Sequence, residues 1–463
     1  MKYMFSNHIR TLALLLAALP VLLLLVAGCS NDRDDCPQPD HDTDPVKLRF
    51  TIVTRPSSGS GTGQTRATDI TDEQLGIDSE NYLNLAGGDI RFLLFDGEQK
   101  LLRDFTPDAH TTLDTGGNNN YVSYTVHATI TEPYFANVAT GDTDFYIMVI
   151  ANGRPHQMTA LGLTPGTTTI EDVSGQLITF VQKTYIIVDT ETGRRGGWTL
   201  SEPGIANGEY IPMAGLQHFT LLQGAFDRNG LEGFVDLSSG DGSKNINMLR
   251  AFAKIEVIDK IGITGHFDDA PKERFFVEKA ELFGRCATGT VLPAYTQWYR
   301  NGVLETRQVD APTMASPMQY IHPTNDIDGP NWNSLIEFYQ DEDAKAARKD
   351  GCPVFSVYVT EYSREAIDAI VSAETIYPPY IRVTVNEPGK DKDDASKFYR
   401  IELASYTDGD AGEELPALLR NHIYRYVITS ISSTPQTRSA LGSSADGTGD
   451  SLGITVEKSV WGD

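Results

Sequence analysis

Two residues of this sequence have the type and position that processing chemistry needs. Cys29 places a thiol where an apolar run from Leu12 to Val26 gives way to small residues. Arg66 lies in Thr65–Thr68, just beyond a stretch rich in Ser, Gly and Thr. Such a stretch is a flexible linker, so a protease can reach a basic residue on it. The chemistry predicted is therefore modification and cleavage of this chain, rather than turnover of a substrate.

Catalytic patterns are absent from the sequence. It contains no Gly-x-Ser-x-Gly, His-Glu-x-x-His or phosphate-loop motif, and its nine histidines are dispersed. His422 lies beside Tyr424 in a predicted strand, which favours a packed or hydrogen-bonded histidine over a catalytic base. We therefore predict that the protein is not an enzyme, although a site assembled across the fold leaves no sequence pattern.

Metal sites and cofactors are not predicted either. Asp40, Asp42 and Asp44 alternate like the start of a calcium loop, but Pro45 and Thr51 occupy the positions that need Gly and an acid. This segment therefore reads as a solvated spacer.

The spacing of the four cysteines does not predict a disulfide framework. They are scattered and include no Cys-x-x-Cys pair, so neither a zinc site nor a disulfide scaffold is predicted. Cys286 and Cys352 are expected as small apolar core residues, which could pair in an oxidising compartment if the fold brought them together.

The net charge of -25 excludes one class of partner. An acidic surface repels phosphate backbones, so nucleic acid is not expected to bind. The charge suits solubility in a salty exterior.

The N-terminus has the three parts of a secretory signal. Lys2 and Arg10 precede the apolar run, Pro20 interrupts it, and Ala27 and Gly28 end it. The run is too short to be read first as a membrane-spanning helix. Residues 1–28 are therefore predicted to be a signal peptide.

Val26-Ala27-Gly28-Cys29 resembles the lipobox of bacterial lipoproteins. The resemblance implies that Cys29 is acylated and becomes the N-terminus, its acyl chains binding the membrane with about 0.8 kcal/mol per buried methylene. The acidic residues at 32, 34 and 35 resemble the surface-export signal of Bacteroidetes lipoproteins, which implies the outer face of the outer membrane. A plain signal peptide with a chance cysteine is the alternative.

A strand from Lys47 to Thr54 follows. Leu48, Phe50 and Ile52 alternate and so fall on one face of it, as a half-buried strand requires. The residues after it, 57–63, contain nothing apolar that could cover this face. A strand joined to the body by such a tether is predicted to be a removable part.

Most of the remaining chain is predicted to form strands and long loops. The strands are expected at 90–95 before an Asp96-Gly97 turn, 121–130, 145–151, 209–215, 234–237, 249–258, 275–283, 352–362, 380–385, 398–403 and 420–429. The continuous apolar run at 145–151 is typical of a central strand buried on both faces. In 249–258, Phe252 is out of step with the alternating Ala253, Ile255 and Val257, which a bulge would reconcile.

Two helices are predicted. One begins at Thr169 with Asp172 in a capping-box position and apolar residues at helical spacing up to Val181. The other lies between Asn331 and Gly351, with Asn333 or Ser334 as its N-cap and a glycine stop.

The order of these segments resembles the Bacteroidales fimbrillin family, the lipoprotein-derived subunits of type V pili. The resemblance rests on short motifs in a fixed order: the strand at 90–96, Phe145–Asn152, Ile211–Gly215, Arg250–Val257, Asn421–Tyr424 and a terminal strand ending in Val460-Trp461. It implies an all-β fold of two tandem transthyretin-like β-sandwich domains with a few short helices. We expect a propeptide at 29–66, β-sandwiches at 67–240 and 241–431, and a linker with a donor strand at 432–463.

The resemblance also implies a mechanism. An arginine-specific protease cuts after Arg66, leaves Ala67 as the new N-terminus, and removes both the lipid anchor and the plug strand with Leu48, Phe50 and Ile52. The C-terminal strand, in which Leu452, Ile454 and Val456 alternate, then enters the open groove of another fimbrial subunit, since a strand supplied in trans repairs a sheet that lacks one. The expected location is the outer membrane first and the extracellular fimbrium afterwards. Arg55 is a poorer cleavage site because Pro56 follows it.

Other functions stay open at this point. Within the family, an anchor or tip subunit would keep its lipid or cap the fibre. In another class, a surface lipoprotein could bind glycans through Trp198, Trp298 or Trp332, although scattered tryptophans more often belong to a core. Arg66 could also be an ordinary loop residue.

Overall fold

The structure is a computed structural model, and its described residues belong to one compact unit within Pro45–Asp463. The ranges described are 45–54, 83, 90–114, 122–135, 141–152, 162–174, 178–179, 211–223, 235–238, 245–261, 276–286, 288–290, 293, 299–300, 303–304, 320–321, 335–348, 350–365, 379–386, 397–407, 410–415, 417–431 and 452–460.

The described chain is built mainly from strands. Some are long, and others contain only two residues. In the first half they are β1 (Val46–Val53), β2 (Ile90–Asp96), β3 (Leu101–Phe105), β4 (Ala109–Asp114), β5 (Val122–Ile130), β6 (Thr143–Ala151), β7 (Ile178–Thr179), β8 (Met213–Leu221), β9 (Val235–Asp236), β10 (Ile246–Asn247) and β11 (Leu249–Arg250). In the second half they are β12 (Phe252–Asp259), β13 (Phe276–Phe283), β14 (Arg285–Cys286), β15 (Thr288–Gly289), β16 (Tyr299–Arg300), β17 (Val303–Leu304), β18 (Tyr320–Ile321), β19 (Leu335–Glu337), β20 (Tyr339–Gln340), β21 (Val354–Thr360), β22 (Tyr362–Ser363), β23 (Tyr380–Asn386), β24 (Lys397–Glu402), β25 (Ala404–Thr407), β26 (Asp410–Glu414), β27 (Ala417–Leu418), β28 (His422–Ile431) and β29 (Leu452–Val460).

Two sheets enclose a first hydrophobic core. One has the order β10-β1-β5-β4, with β9 also paired to β1, and the other has the order β11-β8-β6-β2-β3. Inward residues of both sheets pack together, among them Phe50, Phe92, Val126 and Phe145. β6 is buried on both faces from Phe145 to Ala151, which confirms the prediction of a central strand.

Two further sheets enclose a second hydrophobic core. Their orders are β20-β21-β12-β28-β29 and β19-β13-β23-β24. Alternating residues from β12, β21 and β28, such as Ile255, Val357 and Tyr424, meet those from the facing sheet, such as Ile381 and Ile401. The prediction of an all-β sandwich fold is therefore confirmed. The division into two transthyretin-like domains near residue 240 stays a prediction.

The chain passes from one pair of sheets to the other at Ala251. β11 pairs with β8 of the first pair of sheets, and β12 pairs with β21 and β28 of the second. Phe252 belongs to the first core, whereas Ala253, Ile255 and Val257 belong to the second. The missing alternation at Phe252 therefore reflects a change of core. The predicted bulge is wrong, because β12 pairs with β21 in an unbroken register from Phe252 to Ile258.

The helix predicted between Asn331 and Gly351 is wrong over the described residues 335–340. Residues 335–340 form β19 and β20, and only α2 (Glu342–Ala347) is helical. Ile336 packs into the second core while Leu335 packs on Phe283 and Tyr380, so successive side chains lie on opposite faces, as in a strand. The N-cap is Asp341 rather than Asn333 or Ser334. Gly351 follows the helix with a positive φ of 62°.

The helix predicted from Thr169 is present but shorter. α1 (Ile170–Ser174) is one turn long, and the chain forms β7 by Ile178. Its start is a reciprocal cap as predicted. The Asp172 carboxylate accepts hydrogen bonds from the Thr169 N–H and hydroxyl, both at 2.8 Å, and the Asp172 N–H donates to the Thr169 hydroxyl at 3.1 Å.

Candidate functional site

The candidate site is the groove of the first core that β1 fills. β1 lies inside its sheet rather than at an edge. On one side it pairs antiparallel with β5 over eight positions, from Val46 opposite Ile130 to Val53 opposite Ser123. On the other side it pairs parallel with β9 and with β10. Removing β1 would therefore expose the backbone groups of three neighbouring strands at once.

The inward face of β1 is fully buried. Leu48, Phe50 and Ile52 each have 0% of their surface exposed, as the alternating pattern predicted. The Phe50 ring meets Phe92 of the facing sheet edge-on, with ring centroids 6.0 Å apart. Phe92 in turn lies 5.5 Å from Phe105 on β3. β1 thus supplies an aromatic ring that contacts Phe92 and, through it, the Phe92–Phe105 pair of the facing sheet.

The outward face of β1 carries an ion pair. The Arg49 guanidinium donates to the carboxylate of Asp236 on β9. The two side chains retain 46% and 21% of their exposure, so solvent screens the pair. No local pattern in the sequence marks Asp236 as a partner, because it lies 187 positions from Arg49.

The segment beside β1 is held in place by close packing. The Met248 N–H donates to the Val53 carbonyl and the Leu237 N–H donates to the Arg49 carbonyl, both at 2.8 Å. Gly215 on β8 lies against this segment. A Cβ at Gly215 would come within 2.7 Å of the Asn247 carbonyl oxygen, so the position needs glycine.

The C-terminal strand is present as β29. It pairs antiparallel with β28 of the same chain, from His422 opposite Val460 to Ile431 opposite Leu452. In this register Ile454 lies opposite Ile428 and Val456 opposite Tyr426. The segment predicted to act as a donor therefore occupies the end of its own sheet, a pairing that the sequence did not indicate.

Several residues singled out in the sequence lie outside the described residues. These are Cys29, Arg66 and Ala67, the acidic residues at 40, 42 and 44, and the three tryptophans Trp198, Trp298 and Trp332. Their predicted roles stay predictions.

Other sequence-based expectations can be located. His422 is buried, and its Nδ1 lies 2.8 Å from the Arg420 carbonyl oxygen, which confirms a packed, hydrogen-bonded histidine. Cys286 and Cys352 are buried free thiols rather than a pair. Burial raises the pKa of each thiol to about 12, so both are poor nucleophiles.

Within the described ranges, no cluster of His, Cys, Asp or Glu has the arrangement of a metal site. Among the same residues, no helix is long and apolar enough to cross a membrane.

The fold and the groove define an all-β sandwich protein in which β1 is an internal strand of its sheet. No protein-family model matches the chain, and no curated protein matches its sequence. Among solved structures it is similar to a fimbrial assembly protein from Parabacteroides distasonis, with 13% identity, 83% and 90% of the two chains covered, and a TM-score of 0.35. It is also similar to the C-terminally truncated tip fimbrial protein Mfa3 from Porphyromonas gingivalis, with 14% identity, 90% and 99% covered, and a TM-score of 0.38. A third is described as a candidate cell adhesion protein from Parabacteroides distasonis, with 12% identity, 90% and 99% covered, and a TM-score of 0.43.

Proposed function

We propose that this chain is a structural subunit of a cell-surface fimbria that assembles by strand exchange. The observation that carries the proposal is the position of β1. It is the first strand of the described chain, it precedes the Ser- and Gly-rich tether, and it fills the middle of a sheet with Leu48, Phe50 and Ile52 fully buried. Most internal strands are tied into the body at both ends, whereas a single cut in the tether would detach this one.

The steps follow the order of the sequence. Cys29 takes the lipid that binds the precursor to the outer membrane, and an arginine-specific protease cuts after Arg66. The fragment with β1 then leaves, and Ala67 becomes the N-terminus. The groove is refilled by a strand from another fimbrial subunit, so that subunits join end to end at the cell surface.

Energetics supports exchange once the groove is open. Each buried Leu, Phe or Ile side chain contributes about 1.5–3 kcal/mol, and each backbone hydrogen bond about 0.5–1.5 kcal/mol. A donor taken from β29 must first separate from β28, so the backbone bonds gained and lost nearly cancel. The apolar contacts in the groove then provide the net driving force.

The experiment is to treat the purified full chain with an arginine-specific protease and run it unheated on a denaturing gel. We expect a ladder of oligomers after cleavage and none before it. Arg66→Lys keeps the charge but blocks the cut and should give no ladder, while Arg55→Lys serves as the matched control and should behave like the wild type. Deleting residues 452–463 should abolish the ladder. A ladder from the deleted chain, or from uncut Arg66→Lys, would show that the strand assignment is wrong.

One observation favours a second candidate within the same class. Because β29 pairs with β28 over its whole length, the donor is stored in its own sheet. An anchor or tip subunit, which accepts or donates at one end only, would suit such storage. The N-terminus of the protein on cells separates the two, since acylated Cys29 identifies an anchor and Ala67 a stalk or tip subunit.

A further inference from the structure

The groove filled by β1 has two features that a replacement strand has to match. On the inside, the position of Phe50 faces the edge of Phe92. Aromatic pairs in this geometry are more favourable than their buried area alone accounts for. On the outside, the preceding residue, Arg49, pairs with Asp236. In the direction of β1, the groove therefore suits an aromatic residue that directly follows a basic one.

The direction of an incoming strand is not fixed by backbone pairing. β1 is antiparallel to β5 and parallel to both β9 and β10. A strand inserted in either direction finds one antiparallel and one parallel side. Side chains must therefore decide which strand is accepted, and both directions have to be considered for any candidate.

In no register does the C-terminal strand of this chain offer both features together. Its apolar residues alternate at even positions, 452 to 460, and none of them is aromatic. The one cation, Lys458, shares that parity, so it cannot reach Asp236 when the apolar residues face inward. The outward positions then hold Gly453, Thr455, Glu457 and Ser459, which include no basic residue.

Rotating the C-terminal strand so that its odd-numbered residues face inward does not provide both features either. Trp461 then reaches the position of Phe50, but Ser459 and Asp463 take the two flanking positions in either direction. Those positions belong to Leu48 and Ile52, which have no exposed surface. An unpaired carboxylate is strongly disfavoured there.

We propose that the groove of this subunit selects its donor by these two features, and that its preferred partner is a different subunit whose strand carries an outward basic residue directly beside an inward aromatic one. Another copy of this chain is the weaker donor. The inference rests on the proposed function, because the groove opens only when β1 leaves. It deepens that function by naming the chemistry of the partner strand.

The test is a competition for the groove, using the full chain cut after Arg66. Synthetic peptides are added, and both peptide uptake and blocking of the oligomer ladder are measured. The peptide of residues 45–54 should bind best. Its Phe50→Leu variant should bind about 3- to 10-fold more weakly, from the usual strength of an aromatic pair. Its Arg49→Gln variant should bind up to about 5-fold more weakly at low salt and lose its salt dependence.

A matched gain-of-binding experiment avoids variants that fail to fold. The C-terminal peptide of residues 451–461 should be a weak competitor. With Leu452 set at the position of Leu48, the changes Gly453→Arg and Ile454→Phe install both features, and the changed peptide should compete at least 10-fold better. Asp236→Asn in the protein should remove the benefit of Gly453→Arg and leave that of Ile454→Phe.

The outcomes distinguish the inference about the partner strand from the proposed function. Uptake of all peptides with equal strength, or better uptake of the unchanged C-terminal peptide, overturns the inference and leaves the proposed function standing. No uptake of any peptide after β1 has left overturns the proposed function, and the inference with it.

Discussion

The Arg250 guanidinium donates a hydrogen bond of 3.1 Å to the side-chain oxygen of Asn421, and both residues are fully buried between the two cores. The Asn421 N–H also donates to the Phe252 carbonyl at 2.8 Å. These bonds tie the end of β11 to the start of β28. Asn421 has a positive φ of 57°, a conformation that asparagine tolerates better than most residues.

Replacing Asn421 should therefore destabilise the protein in two separable ways. Asn421→Ala loses the bond to Arg250 and adds backbone strain, and should lower the free energy of unfolding by about 2–4 kcal/mol. Asn421→Gly keeps the conformation and should lose only the bond. Asn421→Asp keeps the acceptor toward Arg250 and should therefore lose less stability than Asn421→Ala. Denaturant unfolding measures all three, and equal losses for Ala and Gly would show that strain at this position is unimportant.

Close packing at Gly215 gives a second prediction. A methyl group there would lie 2.8 Å from both the Ile246 side chain and the Met248 sulfur. Gly215→Ala should therefore cost about 1–3 kcal/mol, the usual penalty for overpacking. It should also displace the segment that donates to Val53 and so speed hydrogen exchange in β1.

The matched control is Gly141→Ala, because no atom of the described residues lies within 4 Å of a Cβ at that position. Its effect should stay within about 0.5 kcal/mol. If Gly215→Ala changed stability equally little, the segment from Ile246 to Met248 would have to shift more easily than its close contacts imply.

The alternation of inward and outward residues along the sequence made the strands predictable. Where this local pattern is ambiguous, the predictions were wrong. The alternation of Leu48, Phe50 and Ile52 indicates one buried face within a few residues, and all three side chains are fully buried in the structure. The apolar residues at 335, 336, 338 and 339 fit helical spacing equally well, and only their packing against different neighbours makes them strands. Phe252 could not be assigned because its core is built by residues far away in the chain.

The features that shape the groove were hidden for the same reason. Phe92 and Asp236 sit on other strands, and nothing near them in sequence connects them to β1. The sequence therefore indicated which strand occupies the groove, but not which side chains an incoming strand needs in order to bind there.

A buried charge cluster predicts the response to acid. The Glu256 carboxylate accepts from Arg425 at 2.7 Å and lies 3.0 Å from the Lys254 ammonium, with all three residues buried. Burial alone would raise the pKa of Glu256, but the charges of Lys254 and Arg425 outweigh it and lower the pKa from 4.5 to about 2. A carboxyl group with a lowered pKa stabilises the fold above its unfolded pKa, and this contribution is lost as the pH falls.

The wild type should therefore lose about 3 kcal/mol of stability from this group between roughly pH 5 and pH 2. Glu256→Gln should be less stable at pH 7 and should show a flatter dependence over the same window. Urea unfolding at several pH values tests this. An unchanged slope in the variant would assign the acid response to other carboxylates.

Asp341 provides the last prediction, because one buried carboxylate serves both a helix and the charge cluster. One oxygen accepts from the Ala344 N–H at 2.8 Å and caps α2, and the other accepts from Ser356 at 2.8 Å and Lys254 at 3.1 Å. Asn is as good an N-cap as Asp, so Asp341→Asn should keep the cap, but its amide NH2 replaces the oxygen that accepts from Lys254 and Ser356, and both of those interactions should be lost. Asp341→Ala should lose about 1 kcal/mol more from the cap.

Breaking a buried pair by removing one partner usually costs about 3–5 kcal/mol, and Glu256 still faces Lys254 in the variant, so the loss for Asp341→Asn should fall at or below the low end of that range. Thermal and urea unfolding give both values. The neighbouring Glu342→Gln is the control and should change stability by less than about 0.5 kcal/mol, because that carboxylate is exposed and, among the described residues, its ion pair is with Lys345 at 3.0 Å across the helix surface. Equal losses for Asp341→Asn and Glu342→Gln would mean that the Asp341–Lys254 pair contributes no more than a surface pair does.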